Sequence, residues 1–292
     1  MKIVIAGGTG FVGKALVTFF SAHQHDIWIL TRHPRPSSEG VHYIEWEHAP
    51  SIVQEADVVI NLAGVSLNSG RWTEEKKNAI FESRISTTEK LVKMMKNTHK
   101  KVFINASAVG FYGTSKNTPF TELTPSVGND FLSTTVKAWE KAALKATEYN
   151  IRTVITRFGI ILGKNEGAFP KMLLPYKLFA GGTVGSGEQW VSWIHIEDVV
   201  RIIPFIIEHE EIEGPVNVTA PYPVTMKEFG QTIAKVTNRP HWLPVPAFAL
   251  RMLLGEMSVL ILQGQQVLPQ KLGEHHYTFS YDKLEGALQH LT

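Results

Sequence analysis

The stretch KIVIAGGTGFVG at residues 2–13 decides how this chain is expected to fold. Its apolar, partly β-branched start predicts a buried strand, its glycines a tight turn, and the KALVTFFSAH that follows a helix. Glycine permits the turn angles and the close approach that a phosphate needs, and the unpaired N–H groups of a helix N-terminus favour an anion. The pattern therefore predicts the pyrophosphate site of a dinucleotide, formed by Gly7, Gly8, Thr9, Gly10, Phe11, Val12 and Gly13.

Strand and helix patterns continue to alternate after this first unit. The predicted strands are 26–31, 41–46, 56–64, 101–107 and 151–162, and the predicted helices are 73–95, 130–149 and 224–237. This order predicts an α/β fold of the Rossmann type, a doubly wound parallel sheet that binds ligands at the carboxyl ends of its strands. Glycine and proline become frequent in 167–187, which predicts a smaller C-terminal substrate lobe and a cleft between the two lobes.

The end of the second predicted strand, ILTRHPRP, bears on the identity of the dinucleotide. An acidic side chain at this point binds the ribose 2′-hydroxyl of NAD, whereas an arginine accommodates the 2′-phosphate of NADP. The segment contains Thr31, Arg32, His33 and Arg35 and no acidic residue. A solvated basic loop is the alternative explanation, but the position favours NADP(H) over NAD(H), with Thr31 and Arg32 as contacts.

The segment NLAG at 61–64 ends the fourth predicted strand. Small residues there would let the backbone approach a ribose or the nicotinamide, so Leu62, Ala63 and Gly64 are predicted cofactor contacts. An ordinary turn from strand to loop would have the same sequence.

Composition narrows the classes of function and partner. The 292 residues include 29 lysines and arginines against 27 acidic residues, and this balance does not indicate a nucleic-acid partner. The chain has no cysteine, which excludes disulfides and thiolate metal sites and favours a cytoplasmic location. The first apolar run ends at once in glycines, so no secretory signal is expected. The twelve histidines show no metal-ligand spacing, and no metal is predicted.

The most apolar region, 243–268, contains charged residues, glutamines and prolines. A membrane span needs about 20 predominantly apolar residues, so no membrane segment is predicted there. We expect instead a helix buried in the core or in a subunit interface, as in a homodimer.

Several segments, in this order, resemble the extended short-chain dehydrogenase/reductase family, in its NAD(P)-dependent, nucleotide-sugar epimerase/dehydratase group. The matching segments are AGGTGFVG (6–13), NLAG (61–64), FYG (111–113), Lys137, RFGIILG (157–163) and WIHIEDVV (193–200). A narrower set is similar to an atypical branch, the epimerase family proteins that end in a small extra module: GRW (70–72), ESR (82–84), DFL to WE (130–140), LLPYKLFAGG (173–182) and GQQVLPQKL (264–272).

This resemblance implies the domain organisation and two further cofactor contacts. A cofactor-binding domain would span residues 1–220, with segments of the substrate lobe interleaved from about 164, and the small module would span 240–292. Arg84 stands where the family usually has a cofactor-side asparagine, and Ile161 lies in a matching segment. The alternative for Arg84 is an ion pair on a helix surface.

The resemblance also implies catalysis by a tyrosine and a lysine four residues apart, with a serine at the preceding strand end. The lysine lowers the pKa of the tyrosine so that the phenol can exchange a proton while hydride moves. This chain has Ser133 at the tyrosine position and Ala108 at the serine position, so the mechanism does not carry over. Nearby catalytic candidates are Ser107, Tyr112 and Lys137; packing or surface roles are their alternatives.

Two main functions remain open on this sequence, and either can coexist with a third, that of a structural interaction protein whose apolar region 248–262 forms an oligomer interface. The first is an NADP(H)-dependent oxidoreductase or epimerase-like enzyme that acts on a small-molecule substrate. The second is a catalytically silent NADP(H)-binding sensor.

Overall fold

A seven-stranded parallel sheet forms the centre of the larger lobe. The computed structural model describes residues 1–33, 35–68, 70–96 and 101–292. The strands in chain order are β1 (Lys2–Ala6), β2 (Asp26–Thr31), β3 (Val41–Glu45), β4 (Val58–Asn61), β5 (Val102–Ala108), β6 (Arg152–Phe158), β7 (Ile160–Leu162), β8 (Trp190–Val191), β9 (Trp193–His195), β10 (Gly214–Val218) and β11 (Val224–Thr225). The sheet order is β10-β6-β5-β4-β1-β2-β3 with parallel neighbours, so the carboxyl ends of its strands meet at one edge.

Helices cover both faces of this sheet. In chain order they are α1 (Phe11–Ala22), α2 (Ala49–Glu55), α3 (Glu74–Met94), α4 (Phe131–Leu144), α5 (Phe169–Lys177), α6 (Ile196–Glu208), α7 (Met226–Thr237), α8 (Ala247–Leu254), α9 (Val259–Leu262), α10 (Gln270–Glu274) and α11 (Leu284–Leu291). Successive strand residues point to opposite faces, so Ile3 and Ile5 pack with α1 and α6, whereas Val4 packs with α2, α3 and α4. The predicted α/β class of the Rossmann type is confirmed.

Some predicted boundaries were wrong because tertiary contacts decide where an element ends. The predicted strand 151–162 is divided at Gly159, where an added Cβ would lie 2.2 Å from the Ser192 carbonyl oxygen. Beyond that glycine, β7 leaves the sheet and pairs with β9. The predicted helix 130–149 also ends early: α4 stops at Leu144, and a 3-10 turn continues to Tyr149.

The smaller lobe is built mainly from the chain after Gly163. Its core contains Phe169 of α5, Trp193 of β9, Phe229 of α7 and Leu288 of α11. The segment 240–292 contacts both lobes. Its helix α11 packs on α7 of the smaller lobe, and its helix α10 packs on β10 of the seven-stranded sheet. Within the four described ranges, no helix combines the length and the apolar character needed to cross a membrane.

Candidate cofactor and active site

The glycine turn joins β1 to α1 at the carboxyl edge of the sheet. Gly7 has φ +82, and the Gly10 N–H donates to the Gly7 carbonyl at 3.0 Å. A Cβ at Gly7 would lie 2.8 Å from the Leu62 carbonyl, and a Cβ at Gly13 would lie 2.3 Å from the Gly7 carbonyl oxygen. The turn and the helix therefore pack at distances that only glycine allows.

The parallel register places the other predicted cofactor residues beside this turn. Ala6 pairs with Leu30 on one side and with Asn61 on the other, so β2 and β4 end next to Gly7. The hydroxyl of Thr31 accepts from the His33 N–H and donates to the His33 carbonyl, which shapes the turn after β2. Arg32 is exposed and has no ion-pair partner among the described residues.

The residues around the start of α1 fit the phosphates of a dinucleotide. The N-cap is Gly10, which has no side chain to occupy the N–H groups, and the first turn of the helix contains no acidic residue. The Phe11 ring lies against Gly163 and Gly167, so the loop after β7 covers the start of the helix. Val12 and Ile161 pack in one apolar cluster. An anion is therefore favoured by the helix dipole and is not opposed by a carboxylate from this turn.

Arg84 of α3 lies at the side of this region. Its Nη1 donates to the carbonyls of Val65 and Ile80 at 3.1 and 3.0 Å, and its guanidinium lies 5.2 Å from the centre of the Trp139 ring. A Cβ at Gly64 would lie 3.3 Å from the Arg84 Cζ, so the NLAG turn and the guanidinium are in contact. Burial lowers the pKa of Arg84 to about 10, which leaves it charged at neutral pH. The ion pair on a helix surface is not formed in the described part of the chain.

A cavity of about 340 Å³ opens at the carboxyl ends of β5 and β6. Its walls come from the ends of these strands, from α3 and α4, and from the C-terminal segment around α9. The residues that line it include Arg84, Ser107, Asp130, Phe131, Leu132, Thr135, Val136, Trp139, Phe158, Ile160, Trp190, Ser192, Val259, Leu260, Gln263, Gly264 and Gln265.

The structure brings one of the three catalytic candidates to this cavity. Ser107 lies in the wall, and its Oγ donates to Oε1 of Glu140. Tyr112 is buried, and its hydroxyl accepts from Arg157 and donates to the Asn217 side-chain oxygen, both at 2.8 Å. Burial raises the pKa of Tyr112, so this phenol keeps its proton at neutral pH. Tyr112 therefore belongs to the protein interior in this arrangement.

Lys137 lies on α4 and is half-buried, and it is not among the described residues that line the cavity. Its Nζ donates to the Gly128 carbonyl at 2.7 Å. Three pairs of α4 residues with a four-residue spacing line the cavity: Phe131 and Thr135, Leu132 and Val136, and Thr135 and Trp139. None of these described pairs is a tyrosine and a lysine, and the pair Leu132 and Val136 is apolar throughout.

A buried ion pair behind Ser107 was not foreseen from the sequence. Glu140 and Arg157 are 5% and 4% exposed, and two hydrogen bonds of 2.8 Å join the guanidinium to the carboxylate. The signal that could have found it is an arginine inside the apolar strand sequence TVITRFGIIL, because a charge in a buried strand requires a partner. This pair connects the cavity wall to Tyr112.

His195 is the last residue of β9 and the N-cap of α6, and it is fully buried. Its Nδ1 accepts from the Glu197 N–H at 3.1 Å, and its Nε2 lies 3.2 Å from Nδ1 of His290. Burial, together with His290, lowers the pKa of His195 to about 4, so the ring is neutral. Among the described residues, His195, Glu197 and His290 come close enough to suggest a cation site. Because Nδ1 is the acceptor, the proton is on Nε2, which then has no lone pair for a metal.

Because His195 is neutral in the folded protein, we expect the free energy of unfolding to depend on pH. His195 titrates at about 4 in the folded state and near 6.5 when unfolded. Its contribution to the free energy of unfolding is present above pH 6.5 and is lost as the pH falls towards 4. In this range the histidine binds a proton in the unfolded chain but not in the folded protein. We expect a loss of about 2 to 3 kcal/mol from this group, measured as urea unfolding free energy across that range.

The variant His195→Asn is the control for this dependence, because asparagine keeps an N-cap acceptor and cannot titrate. Burial raises the pKa of Asp198, which acts in the opposite direction in both proteins and so cancels in the comparison. Equal pH profiles for the two proteins would contradict the assignment.

Comparison with known proteins agrees with the fold. A family model described as the NAD dependent epimerase/dehydratase family matches residues 3–219, and one for a domain of unknown function, DUF1731, matches 245–291. Epimerase family protein YfhF of Bacillus subtilis is 46% identical over 298 residues, covering 100% of this chain and 98% of that protein.

The crystal structure of human epimerase family protein SDR39U1 with NADPH superposes with a TM-score of 0.91 at 31% identity, covering 100% and 99% of the two chains. A UDP-glucuronic acid 4-epimerase from Bacillus cereus, at 16% identity and a TM-score of 0.78 over 99% of this chain and 96% of that one, shares the fold. This chain belongs to the NAD dependent epimerase/dehydratase family.

Proposed function

We propose that this protein is a cytoplasmic oxidoreductase or epimerase-like enzyme that binds NADP(H) in preference to NAD(H) and acts on a small organic molecule. The observation that carries the proposal is Arg32, an exposed cation without an ion-pair partner in the described structure, at the end of the strand beside the glycine turn. A guanidinium at this point suits a 2′-phosphate. The human relative was crystallised with NADPH, which supports the same choice.

Each predicted contact has a separate task in this proposal. Bound NADP(H) supplies or accepts the hydride. The glycine turn and the start of α1 bind the pyrophosphate, and Thr31 and Arg32 bind the 2′-phosphate. Arg84, next to Gly64, contributes positive charge on the ribose side of the cofactor.

Ser107 is the group that we propose to act on the substrate proton. Its own hydrogen points to the Glu140 carboxylate, so a lone pair of Oγ is left to accept a hydrogen bond from a substrate hydroxyl in the cavity. The two hydrogen bonds from Arg157 hold the Glu140 carboxylate in place beside Ser107. A proton leaving the substrate would therefore move to Ser107 Oγ while the Ser107 proton moves towards Glu140.

The sensor remains the second candidate, because Leu132 and Val136 occupy the spacing at which a tyrosine–lysine pair would face the cavity. A screen of carbonyl compounds with NADPH, followed by nicotinamide absorbance, separates the two functions. Turnover that falls strongly in Ser107→Ala, with NADPH affinity retained, supports the enzyme. Tight NADPH binding without turnover on any compound supports the sensor.

Replacing Arg32 with aspartate tests the cofactor preference. We expect NADPH affinity to fall by about 10- to 100-fold, since the 2′-phosphate loses its cation and meets a carboxylate. NADH affinity should stay the same or rise, because an acidic residue can bind the 2′-hydroxyl. Both dissociation constants are measured by nicotinamide fluorescence.

Arg35→Asp is the matched control, as it makes the same change of charge three residues further along the exposed loop. It should weaken NADPH much less than the change at Arg32. An equal loss in the two variants, or an equal loss of NADPH and NADH in Arg32→Asp, would contradict the role of Arg32.

A further inference from the structure

We infer that the cavity takes an uncharged, largely apolar carbonyl compound or alcohol and excludes a nucleotide sugar. The reaction of this compound rests on the proposed function, whereas its chemical class follows from the residues that line the cavity.

The walls of the cavity are apolar on several sides. Leu132, Val136 and Trp139 line it from α4, and Phe158 and Ile160 line it from the junction of β6 and β7. Trp190 and the aliphatic residues of α9 complete this surface. Such a surface gains free energy by covering apolar substrate atoms, whereas it gives charged atoms no compensation for lost water.

The charges at the cavity do not suit a diphosphate. Among the described residues that line it, Arg84 is the one cation and Asp130 the one carboxylate. Nη1 of Arg84 donates to two backbone carbonyls, and the guanidinium lies beside Gly64 on the cofactor side. A nucleoside diphosphate is an anion that proteins bind with arginines, lysines or open helix N-termini.

The helix N-terminus at this cavity is closed to anions. α4 begins after Asp130, whose carboxylate accepts from the Ser133 N–H at 2.8 Å. This carboxylate occupies the helix cap and repels a phosphate, in contrast to the start of α1, where glycine is the cap. The protein therefore has an open helix start for the cofactor phosphates and a capped one at the substrate cavity.

The C-terminal segment supplies an apolar wall that is firmly attached. Val259 and Leu260 of α9 face the cavity, and the chain then runs through 263–265. Ser192 Oγ donates to the Gln265 carbonyl at 2.8 Å and accepts from the Val267 N–H at 2.9 Å. A Cβ at Gly264 would lie 2.0 Å from the Trp190 carbonyl oxygen, so the two backbones are in direct contact. This segment forms one wall of the cavity, which is aliphatic at α9 and includes the uncharged residues Gln263 and Gln265.

One buried hydroxyl in the wall lacks a partner. Thr135 is 3% exposed, and its Oγ1 has no hydrogen-bond partner among the described residues. A buried hydroxyl of this kind is satisfied when a ligand presents a polar atom. Together with Ser107, it predicts a substrate with one or two neutral oxygen atoms on an apolar body.

Ligand-observed saturation-transfer NMR on the NADP⁺-saturated protein tests the inference, because a carbonyl probe cannot be reduced by NADP⁺. The neutral probes are acetophenone, benzaldehyde and cyclohexanone. Benzoylformate is the charged counterpart of acetophenone, with a carboxylate in place of the methyl group. UDP-glucose represents nucleotide sugars. We expect acetophenone to bind at least about tenfold more tightly than benzoylformate, and UDP-glucose to show no transfer.

Two variants locate the binding in the cavity. Leu260→Asp should weaken acetophenone by about tenfold or more, whereas Leu253→Asp on the exposed surface of α8 should leave it unchanged. Thr135→Val, which keeps the shape of the side chain, should weaken the same probe and leave NADPH binding intact.

Absence of transfer to all three neutral probes would overturn the inference. So would binding of UDP-glucose or benzoylformate as tight as that of acetophenone, or equal effects of the two aspartate variants. NADPH fluorescence on the same protein reports separately on the proposed function: neutral probes that bind to a protein unable to bind NADPH would support the inference and contradict that function.

Discussion

Replacing Glu140 with glutamine is expected to lower the free energy of unfolding by about 3 to 5 kcal/mol. The two hydrogen bonds of 2.8 Å from Arg157 would lose their charged acceptor, and the guanidinium would remain buried without a counter-ion. Urea unfolding at neutral pH, followed by circular dichroism, measures the loss. An effect of this size would make the pair essential for the junction between the cavity wall and the interior.

The matched control is Glu166→Gln, which removes the exposed partner of Lys14 and should cost about 0 to 1 kcal/mol. Adding Arg157→Met to Glu140→Gln should recover part of the loss, because the unpaired charge disappears with the second change. A loss below about 1 kcal/mol in Glu140→Gln would contradict the buried pair.

Replacing Gly13 with alanine is expected to lower NADPH affinity by about a hundredfold or more, roughly 2.7 kcal/mol. The added methyl group would lie 2.3 Å from the Gly7 carbonyl oxygen and 2.6 Å from the Gly8 Cα, and both of these are backbone atoms. α1 must then move away from the turn, which separates the helix N-terminus from the phosphate site. Nicotinamide fluorescence titration measures the loss.

Gly286→Ala is the matched control for this change. Gly286 lies in α11, and a Cβ there would have no neighbour within 4 Å among the described residues. This variant should bind NADPH as the unaltered protein does. If Gly13→Ala also bound NADPH unchanged, the glycine turn would not be the phosphate site.

The fold was predictable because its main signals are local. The glycine turn, the β-branched strands and the alternation with helices each lie within a short stretch of sequence, and together they specify a parallel sheet. The break at Gly159 was not predictable in this way. It depends on the Ser192 carbonyl, which approaches from a distant part of the chain.

The predicted cofactor residues rest on more local signals than the cavity does. Residues 7–13 and 62–64 follow a strand and residues 31–32 lie at the end of one, and the parallel register brings these strand ends together. The orientation of α4 is harder to predict, because each residue turns a helix by about 100° and a shift of one position changes the exposed face. Lys137 therefore matches a family pattern in sequence while Leu132 and Val136 line the cavity.

The Glu140–Arg157 pair required the three-dimensional structure for a related reason. Its members are 17 residues apart, on a helix and a strand, and nothing in the sequence states which acidic residue reaches Arg157. The sequence could show only that an arginine in an apolar strand needs a partner.

The most direct test of the central claim is a parallel titration of the unaltered protein with NADPH and NADH, followed by nicotinamide fluorescence. A dissociation constant for NADPH that is lower by about tenfold or more is the predicted result, since only NADPH presents a phosphate to Arg32. Equal constants for the two dinucleotides, or tighter binding of NADH, would contradict the account.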